Sequence, residues 1–356
     1  MSDARSAFQS TTPRPTGRWR KLLLLSGTVL FSVLIACLLL EAGFRLIRTE
    51  PWYERVAQAQ KRAEGVRYPV GDLASIQLRK MPPRTPKAPG TYRILFLGDS
   101  FTYGSGVEDG SKVFVDLVAQ RLNSGAKRPG IRKYETFNGG MPGSMTRHWV
   151  QLLKKMANSF QPDMVVGVFF LRDGADPEIT SVHLVREIEE GMNRLAERSL
   201  LYRYSHMYRF FRQRSEFKTV SREYLDAIQR AYVGAPEQTR EWQLARENLL
   251  WIRQQALLSG SRFAMIVFPV LLDLDEDYPL RGVCDILQRF CELNEIPVLS
   301  LLPAFMNRDA SELWVSLYDQ HPNEEGHAIA AEAVLPFLES LLAPPKWKEW
   351  DQVPCD

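Results

Sequence analysis

A parallel α/β sheet covered by helices on both faces, preceded by one transmembrane helix, is the architecture this sequence predicts. Three observations carry that expectation. Residues 22–40 run for nineteen positions without a charge. After residue 90, short apolar runs alternate with amphipathic stretches of helical period, the rhythm of strand, crossover and parallel strand. One of those runs, Met164–Phe170 (MVVGVFF), is almost unbroken in its apolarity, as suits a parallel strand buried on both faces.

The chain opens on a basic tail, residues 1–21, where Arg5, Arg14, Arg18, Arg20 and Lys21 face Asp3 alone. A helix over the nineteen uncharged residues that follow would be roughly 28 Å long, against about 30 Å of bilayer hydrocarbon. Cationic residues directly before such a span place the N-terminus in the cytoplasm and everything after Glu41 outside. Residues 22–43 are therefore expected to be a single-pass anchor. Two alternatives share the segment. A cleaved signal peptide would have a shorter apolar core and an A-x-A-like end, neither of which is present. Leu34-Ile35-Ala36-Cys37 has the look of a lipobox, but three leucines follow Cys37. Residues 44–90 are expected to form a juxtamembrane stalk, polar at first and closed by the breaker cluster Pro82, Pro83, Pro86, Pro89 and Gly90.

Five strands are expected in the body: Tyr92–Leu97, Tyr134–Phe137, Met164–Phe170, Phe263–Phe268 and Ile296–Leu299. Helices are expected over 113–122, 146–158, 237–258, 279–294 and 323–342. Residues 174–236 are longer than a plain crossover needs and read as an insertion, with a helix-like stretch at Val185–Leu200. Its segment 201–230 interleaves seven Lys/Arg with seven aromatics. An amphipathic helix packed on the body has that pattern, and so does a lid or a contact with anionic headgroups. Beyond the tail the chain carries a formal charge of −1, which excludes a broad basic field and, with it, a nucleic-acid-binding body. Four cysteines, without a CxxC or a Cys/His pair at zinc spacing, exclude a disulfide-dense scaffold. Neither a metal constellation nor a cofactor motif is visible. Cys284 and Cys291 lie seven apart on one helix and cannot bridge each other without unfolding it.

The chemistry-bearing residues sit in two distant blocks. Gly98-Asp99-Ser100 ends the first strand, at the sheet edge where α/β proteins hold ligands. Near the other end stands Asp319-Gln320-His321-Pro322-Asn323, ahead of the last helix. His321 can take the proton of a nucleophilic Ser100, and Asp319 can orient the imidazole and stabilise its cation. His327, six residues on, reads as a packing residue on that helix, and His148 as part of a helix face.

GDSFTYGSGV after the first strand, NGGMPG after the second and DQHPNEEGHAIAAE before the last helix together resemble the SGNH (GDSL-type) hydrolases. The resemblance covers residues 91–340 outside the insertion. It implies a three-layer α/β/α sandwich with a five-stranded parallel sheet, flavodoxin-like, behind the transmembrane helix. It further implies Ser100 as nucleophile, His321 as base and Asp319 as third triad member. Gly143 and the Ser100 amide become oxyanion donors, with Asn138 in the same binding block and Asp99 bracing the turn. Two departures stand out. The family often places its acid three residues before the histidine, where this chain has Tyr318; membrane-anchored relatives and some polysaccharide O-acetyltransferases resemble the shorter spacing of Asp319. After the third strand the family has Asn-Asp, and this chain has Arg172-Asp173, so that Arg172 stands where an oxyanion-binding asparagine is expected. An arginine there either donates to the oxyanion, clamps an anionic substrate, or pairs with Asp173 or Asp176.

The function these readings imply is a serine esterase or O-acyltransferase, single-pass in the cytoplasmic membrane of a bacterium, with its catalytic domain in the periplasm. Its substrates would be acyl esters of cell-envelope or exported carbohydrate, and its contact with membrane lipid would run through the N-terminal helix. The hydrolase domain spans 91–345 with the insertion at 174–236, and residues 346–356 form a tail. A lipase or lysophospholipase is one alternative. A catalytically silent domain of this type that binds polysaccharide is another.

Overall fold

The computed structural model describes residues 17–46, 66–70, 73–81, 86–125, 128–176, 194, 198–316 and 319–342. Residues 1–16 of the basic tail, most of the stalk, Val185 and its neighbours, Tyr318 and residues 346–356 lie outside them. The chain divides into two compact units, one of residues 1–50 with 192–215, the other of 51–191 with 216–356.

The first element, α1 (Gly17–Leu46), takes in the whole uncharged run. From Trp19 on it is long and apolar enough to cross a membrane. A hairpin follows, β1 (Val66–Val70) against β2 (Leu73–Leu78), paired antiparallel. This corrects the expectation of a stalk up to residue 90. Leu78 is fully buried in the core, and Arg79 donates to the carbonyls of Tyr103, Gly104 and Val107 at 2.6–2.8 Å. The hairpin escaped the sequence reading because its five- and six-residue strands lie in a stretch dominated by breakers.

The body then runs β3 (Thr91–Gly98), α2 (Ser100–Tyr103), α3 (Phe114–Ser124), β4 (Lys133–Gly140), α4 (Thr146–Phe160) and β5 (Met164–Phe170). After it come α5 (Leu200–Tyr204), α6 (His206–Val233), α7 (Arg240–Leu258), β6 (Arg262–Phe268), α8 (Arg281–Leu293) and β7 (Val298–Ser300). The chain closes with α9 (Leu302–Phe305), a hairpin of β8 (Trp314–Ser316) and β9 (Asp319–Pro322), and α10 (Glu324–Leu342). β4, β3, β5, β6 and β7 form one sheet in that order, every neighbouring pair parallel. All seven residues of β5 are buried, the consequence of helices on both faces. β7 begins one residue past Pro297, which has no N–H to give the ladder.

This strand order fixes where a site can be. From β3 the chain passes to β4 on one side and then to β5 on the other. The crevice beyond the carboxyl ends of β3 and β5 is the topological switch point, which in open α/β sheets receives the ligand. α2 begins at the end of β3, and the short helical turn Leu171–Gly174 at the end of β5.

Within the second unit the insertion contributes to the core. Tyr224, Leu225, Ile228, Ala231 and Tyr232 of α6 are buried at helical spacing, and the Tyr232 hydroxyl donates to the Leu171 carbonyl at 2.6 Å. Cys284 and Cys291 are both free thiols, buried on α8.

Candidate active site

The Ser100 turn is held by its neighbours. Asp99 caps α2, its Oδ1 accepting the Phe101 N–H at 2.9 Å. The capped turn presents Ser100 as the first helical residue. Asn138 ties this turn to the adjacent strand: its Nδ2 donates to the Thr102 carbonyl at 2.7 Å, while its Oδ1 accepts the Gly140 N–H at 2.9 Å. A Cβ on Gly140 would stand 2.2 Å from the Tyr103 nitrogen, so only glycine lets the end of β4 lie against α2. Both ends of the Asn138 amide are thus engaged in the scaffold.

The loop after β4 is a turn whose geometry follows from its residues. Ser144 N–H donates to the Met141 carbonyl at 3.0 Å across Pro142-Gly143, and Gly143 has φ +73. Proline second and a positive-φ glycine third is a type II turn. Met141 N–H in turn donates to the Gly98 carbonyl, one residue from the Asp99 cap, so the turn is pinned beside Ser100. Gly143 is exposed, with open space where a side chain would be. Ser144 Oγ donates to Gly98 O at 3.1 Å and accepts from the Trp149 indole at 3.1 Å, which roots the turn in α4.

His321 arrives from the far end of the chain on β9. Two contacts fix that hairpin. The Trp314 indole donates to the Leu271 carbonyl at 2.7 Å, and Asn323 Nδ2 donates to the carbonyls of Glu312 and Trp314. Asn323 also caps α10, accepting the Gly326 N–H at 3.0 Å, so the residues after His321 serve both hairpin and helix. The His321 ring lies 5.4 Å from that of Phe101, itself stacked on Phe170 at 3.9 Å.

The structure brings the three together. His321 Nε2 is 2.9 Å from Ser100 Oγ, and His321 Nδ1 is 2.5 Å from Asp319 Oδ1. The same Asp319 oxygen accepts the His321 backbone N–H at 3.2 Å. Burial alone would lower the His321 pKa; the hydrogen bond and charge of Asp319, with Asp99 behind, outweigh it and hold the imidazole above its ordinary value. Asp319 is correspondingly held low, because the contacts from His321 outweigh the cost of its own burial. With Nδ1–H directed at Asp319, Nε2 faces Ser100 as acceptor.

Arg172 does not stand free in the pocket. It is buried, and its Nη2 lies 3.7 Å from Asp99 Oδ2, 3.5 Å from Asp173 Oδ1 and 3.5 Å from the Ser144 carbonyl. The pairing with Asp173 that the sequence left open is therefore present, with Asp99 as a further partner. The arginine links the Ser100 turn, the glycine turn and the end of β5. Asp99 and Asp173 are themselves fully buried, and burial raises both pKa values against the pull of Arg172. Asp173 is pushed furthest, since the Asp99 charge adds to its desolvation.

Sequence reading missed this carboxylate–guanidinium cluster, and also Tyr224 of α6, a buried phenol that senses the charges of Arg172, Asp99 and Asp173. The Asp-Ser and Arg-Asp pairs were visible, but nothing in either predicts that they meet. His327 is buried, stacked on Phe114, and neutral, its pKa lowered by burial to about 3. His148 accepts the Met145 N–H at the start of α4. Among the described residues no group of three or more His, Cys, Asp or Glu is placed to hold a metal.

No family model matches the chain, and no curated protein matches it. Several solved structures do. A catalytic mutant of an acetylxylan esterase from Geobacillus stearothermophilus is 15% identical over 69% of this chain and 94% of its own, with a TM-score of 0.41. A lipase/acylhydrolase from Enterococcus faecalis is 16% identical over 70% of this chain and 96% of its own, with a TM-score of 0.40. A two-domain esterase active on acetylated mannans is 15% identical over 70% of this chain, with a TM-score of 0.38; the match spans half of that esterase's length. The chain itself has an α/β architecture on a five-stranded parallel sheet, and its serine, glycine and histidine blocks resemble those of the SGNH hydrolases, with Arg172 where that pattern has asparagine.

Proposed function

We propose that this protein is a serine ester hydrolase of the SGNH type, anchored in a membrane by α1 and acting through an acyl-serine intermediate. The reading rests on one observation above all: Asp319, His321 and Ser100 form a hydrogen-bonded line, drawn from opposite ends of the chain to the switch point of the sheet. In the proposed reaction Ser100 Oγ attacks the ester carbonyl carbon while its proton passes to His321 Nε2. The negative charge that develops on the carbonyl oxygen is met by the backbone N–H groups of Ser100 and Gly143, donors that need no reorganisation as the charge forms. Collapse breaks the bond to the alcohol, which leaves with the proton from His321, and the acyl group stays on Ser100. His321 then takes a proton from water, the hydroxide displaces the acyl group as its acid, and Ser100 regains its proton.

Asp319 stabilises the imidazolium in both halves. Arg172 holds the charge of Asp99 beneath the turn and takes no proton. A sugar hydroxyl in place of water would make the same intermediate a transferase, and carbohydrate acyl esters outside the cytoplasm are the substrate class that the anchor and the sequence resemblance favour. A fluorophosphonate probe tests the mechanism. It should label the full chain on Ser100 and fail to label Ser100→Ala or His321→Ala. Intact, correctly folded protein that resists the probe would leave the polysaccharide-binding reading in its place.

A further inference from the structure

The unit formed by α1 and the start of the insertion holds features the ester chemistry does not use. Leu34, Cys37, Leu38, Glu41, Phe44 and Arg45 recur at three- and four-residue intervals and so share one stripe of α1. α5 and the first turns of α6 dock on that stripe. Phe44 packs against the rings of Phe210 and Phe211, with centroids at 5.0 and 6.1 Å, and Arg45 donates to the Tyr204 carbonyl.

Glu41 is the centre of the contact. Its carboxylate accepts from Ser205 Oγ at 2.8 Å, from the backbone N–H groups of His206 at 2.8 Å and Met207 at 3.1 Å, and from Arg45 Nε at 3.1 Å. The N–H groups are those that the start of a 28-residue helix leaves without intrahelical partners, at the positive end of its dipole. A carboxylate at the end of an apolar span is costly unless it is paired, and this one is paired four times over.

The docked segment is itself apolar on its outside. Leu200 is 70% exposed, Leu201 65%, Tyr204 64% and Phe211 58%. Beside them runs a groove of about 430 Å³ walled by Leu34, Cys37 and Leu38 of α1 and by Leu200, Leu201 and Met207. Leu34 lies seven residues before Glu41, so the groove reaches roughly 10 Å down α1 from the carboxylate. That is the depth to which interfacial helices bury their apolar face. Arg203, Arg209, Arg212 and Arg214 punctuate the same stretch, the composition of a surface facing anionic headgroups.

We propose that Leu200–Phe211 is an interfacial membrane element: it is pinned to the outer end of the anchor by Glu41 and sinks Leu200, Leu201, Tyr204 and Phe211 into the outer leaflet of the bilayer, whose acyl chains fill the groove. The proposal rests on the reading of α1 as a membrane anchor, and the test separates the two. The full chain with Cys37→Ala and Cys355→Ser is reconstituted into vesicles of phosphatidylcholine and phosphatidylglycerol in equal amounts. A nitroxide is attached after Leu201→Cys or Phe211→Cys. Leu30→Cys, inside the anchor, and Leu258→Cys, on a surface leucine of α7, give the lipid and water references. The ratio of collisions with oxygen to collisions with a water-soluble nickel chelate is measured at each.

Positions 201 and 211 should show ratios several-fold above that at 258 and toward that at 30. Ratios equal to that at 258, with position 30 shielded, would overturn the proposal and leave the anchor standing. A water-like ratio at position 30 would overturn both. In a Glu41→Ala background the label at 211 should gain mobility and move toward the water reference while position 30 keeps its ratio. An unchanged label at 211 would overturn the docking role of Glu41.

Discussion

Asp99 stands next to Ser100, the proposed nucleophile, and supports its turn in two directions. One carboxylate oxygen caps the turn through Phe101; the other faces Arg172 at 3.7 Å and the Ser100 hydroxyl at 3.4 Å. With the buried Asp173 carboxylate 3.5 Å from the same Nη2, removal of Arg172 leaves two acids in the core without that counter-charge. Breaking a buried pair from one side typically costs about 3–5 kcal/mol. Arg172→Ala should therefore lower the thermal midpoint of the detergent-solubilised chain by roughly 10 °C, at about 2–4 °C per kcal/mol for a body of this size. Adding Asp99→Asn or Asp173→Asn should recover part of that loss. A midpoint unmoved in Arg172→Ala would show that the cluster bears no load. His321, as the proposed base, makes a separate prediction. Its base form is the neutral one, and its pKa lies above the ordinary 6.5, so kcat/KM on a short acyl ester should be low in acid and rise through one ionisation above 6.5 to a plateau. In Asp319→Asn the desolvation of His321 loses its main offset and only the Asp99 charge opposes it. The inflection should move to lower pH, with the plateau reduced by about 10²–10⁴-fold. A pH–rate profile of both proteins checks direction and size together.

At the scale of elements, Asn323 shows how one polar side chain sets the geometry of a site that it does not touch. It accepts from the first turn of α10 and donates to two carbonyls of the β8 strand and the turn before it, so His321 is held between a helix start and a hairpin. Asn323→Ala should cost about 0.5–2 kcal/mol as a lost cap and lower kcat with little change in KM, since it loosens a base and leaves the substrate surface intact. Asn323→Asp keeps the cap and loses the donation to β8, so it should retain stability better than activity; parallel changes in both would place the effect in the helix alone. The strands of the parallel sheet were legible because most are short apolar runs ending in a turn motif, and parallel burial makes such runs continuous; β9, which carries Asp319 and His321, was not, since DQHP has no strand pattern. The two blocks GDS and DQH were legible because their chemistry needs those residue types. The hairpin at residues 66–78 was not, since its strands are short and flanked by prolines; nor was Arg172's place, since a buried charge cluster is decided by which elements meet and leaves no local pattern. The insertion was seen as a length anomaly and as a basic-aromatic pattern. Its division into a buried stretch around Tyr224–Tyr232 and an exposed one around Leu200–Phe211 follows from packing, which helical periodicity alone does not assign.

The whole molecule couples a site that requires only an ester, a serine and a histidine to an N-terminal helix that has no bearing on that chemistry. α1 is 30 residues long, roughly 45 Å, while its uncharged stretch is only about as long as the hydrocarbon core is thick. The excess falls at both ends and is polar there: Arg18, Arg20 and Lys21 before the stretch, Glu41 and Arg45 after it. Glu41 weighs little in setting orientation, which follows Lys and Arg near the ends of a span, and the denser cluster is the N-terminal one. The proposed enzyme would then stand entirely on the far side of the membrane from its N-terminus. Alkaline phosphatase fused after Asp356 should be active in cells, because it folds only outside the reducing cytoplasm, and a cytoplasm-dependent fluorescent reporter at the same point should stay dark. Arg18→Glu, Arg20→Glu and Lys21→Glu together remove the cluster and should shift part of the population to the opposite orientation, with phosphatase activity falling several-fold at equal protein level. The opposite pattern in the unaltered chain, a bright cytoplasmic reporter with silent phosphatase, would put Ser100 in the cytoplasm and remove envelope esters from its reach. Globomycin-sensitive processing at Cys37 would instead make the segment a lipoprotein leader, with the body still outside but held by acyl chains on a cysteine.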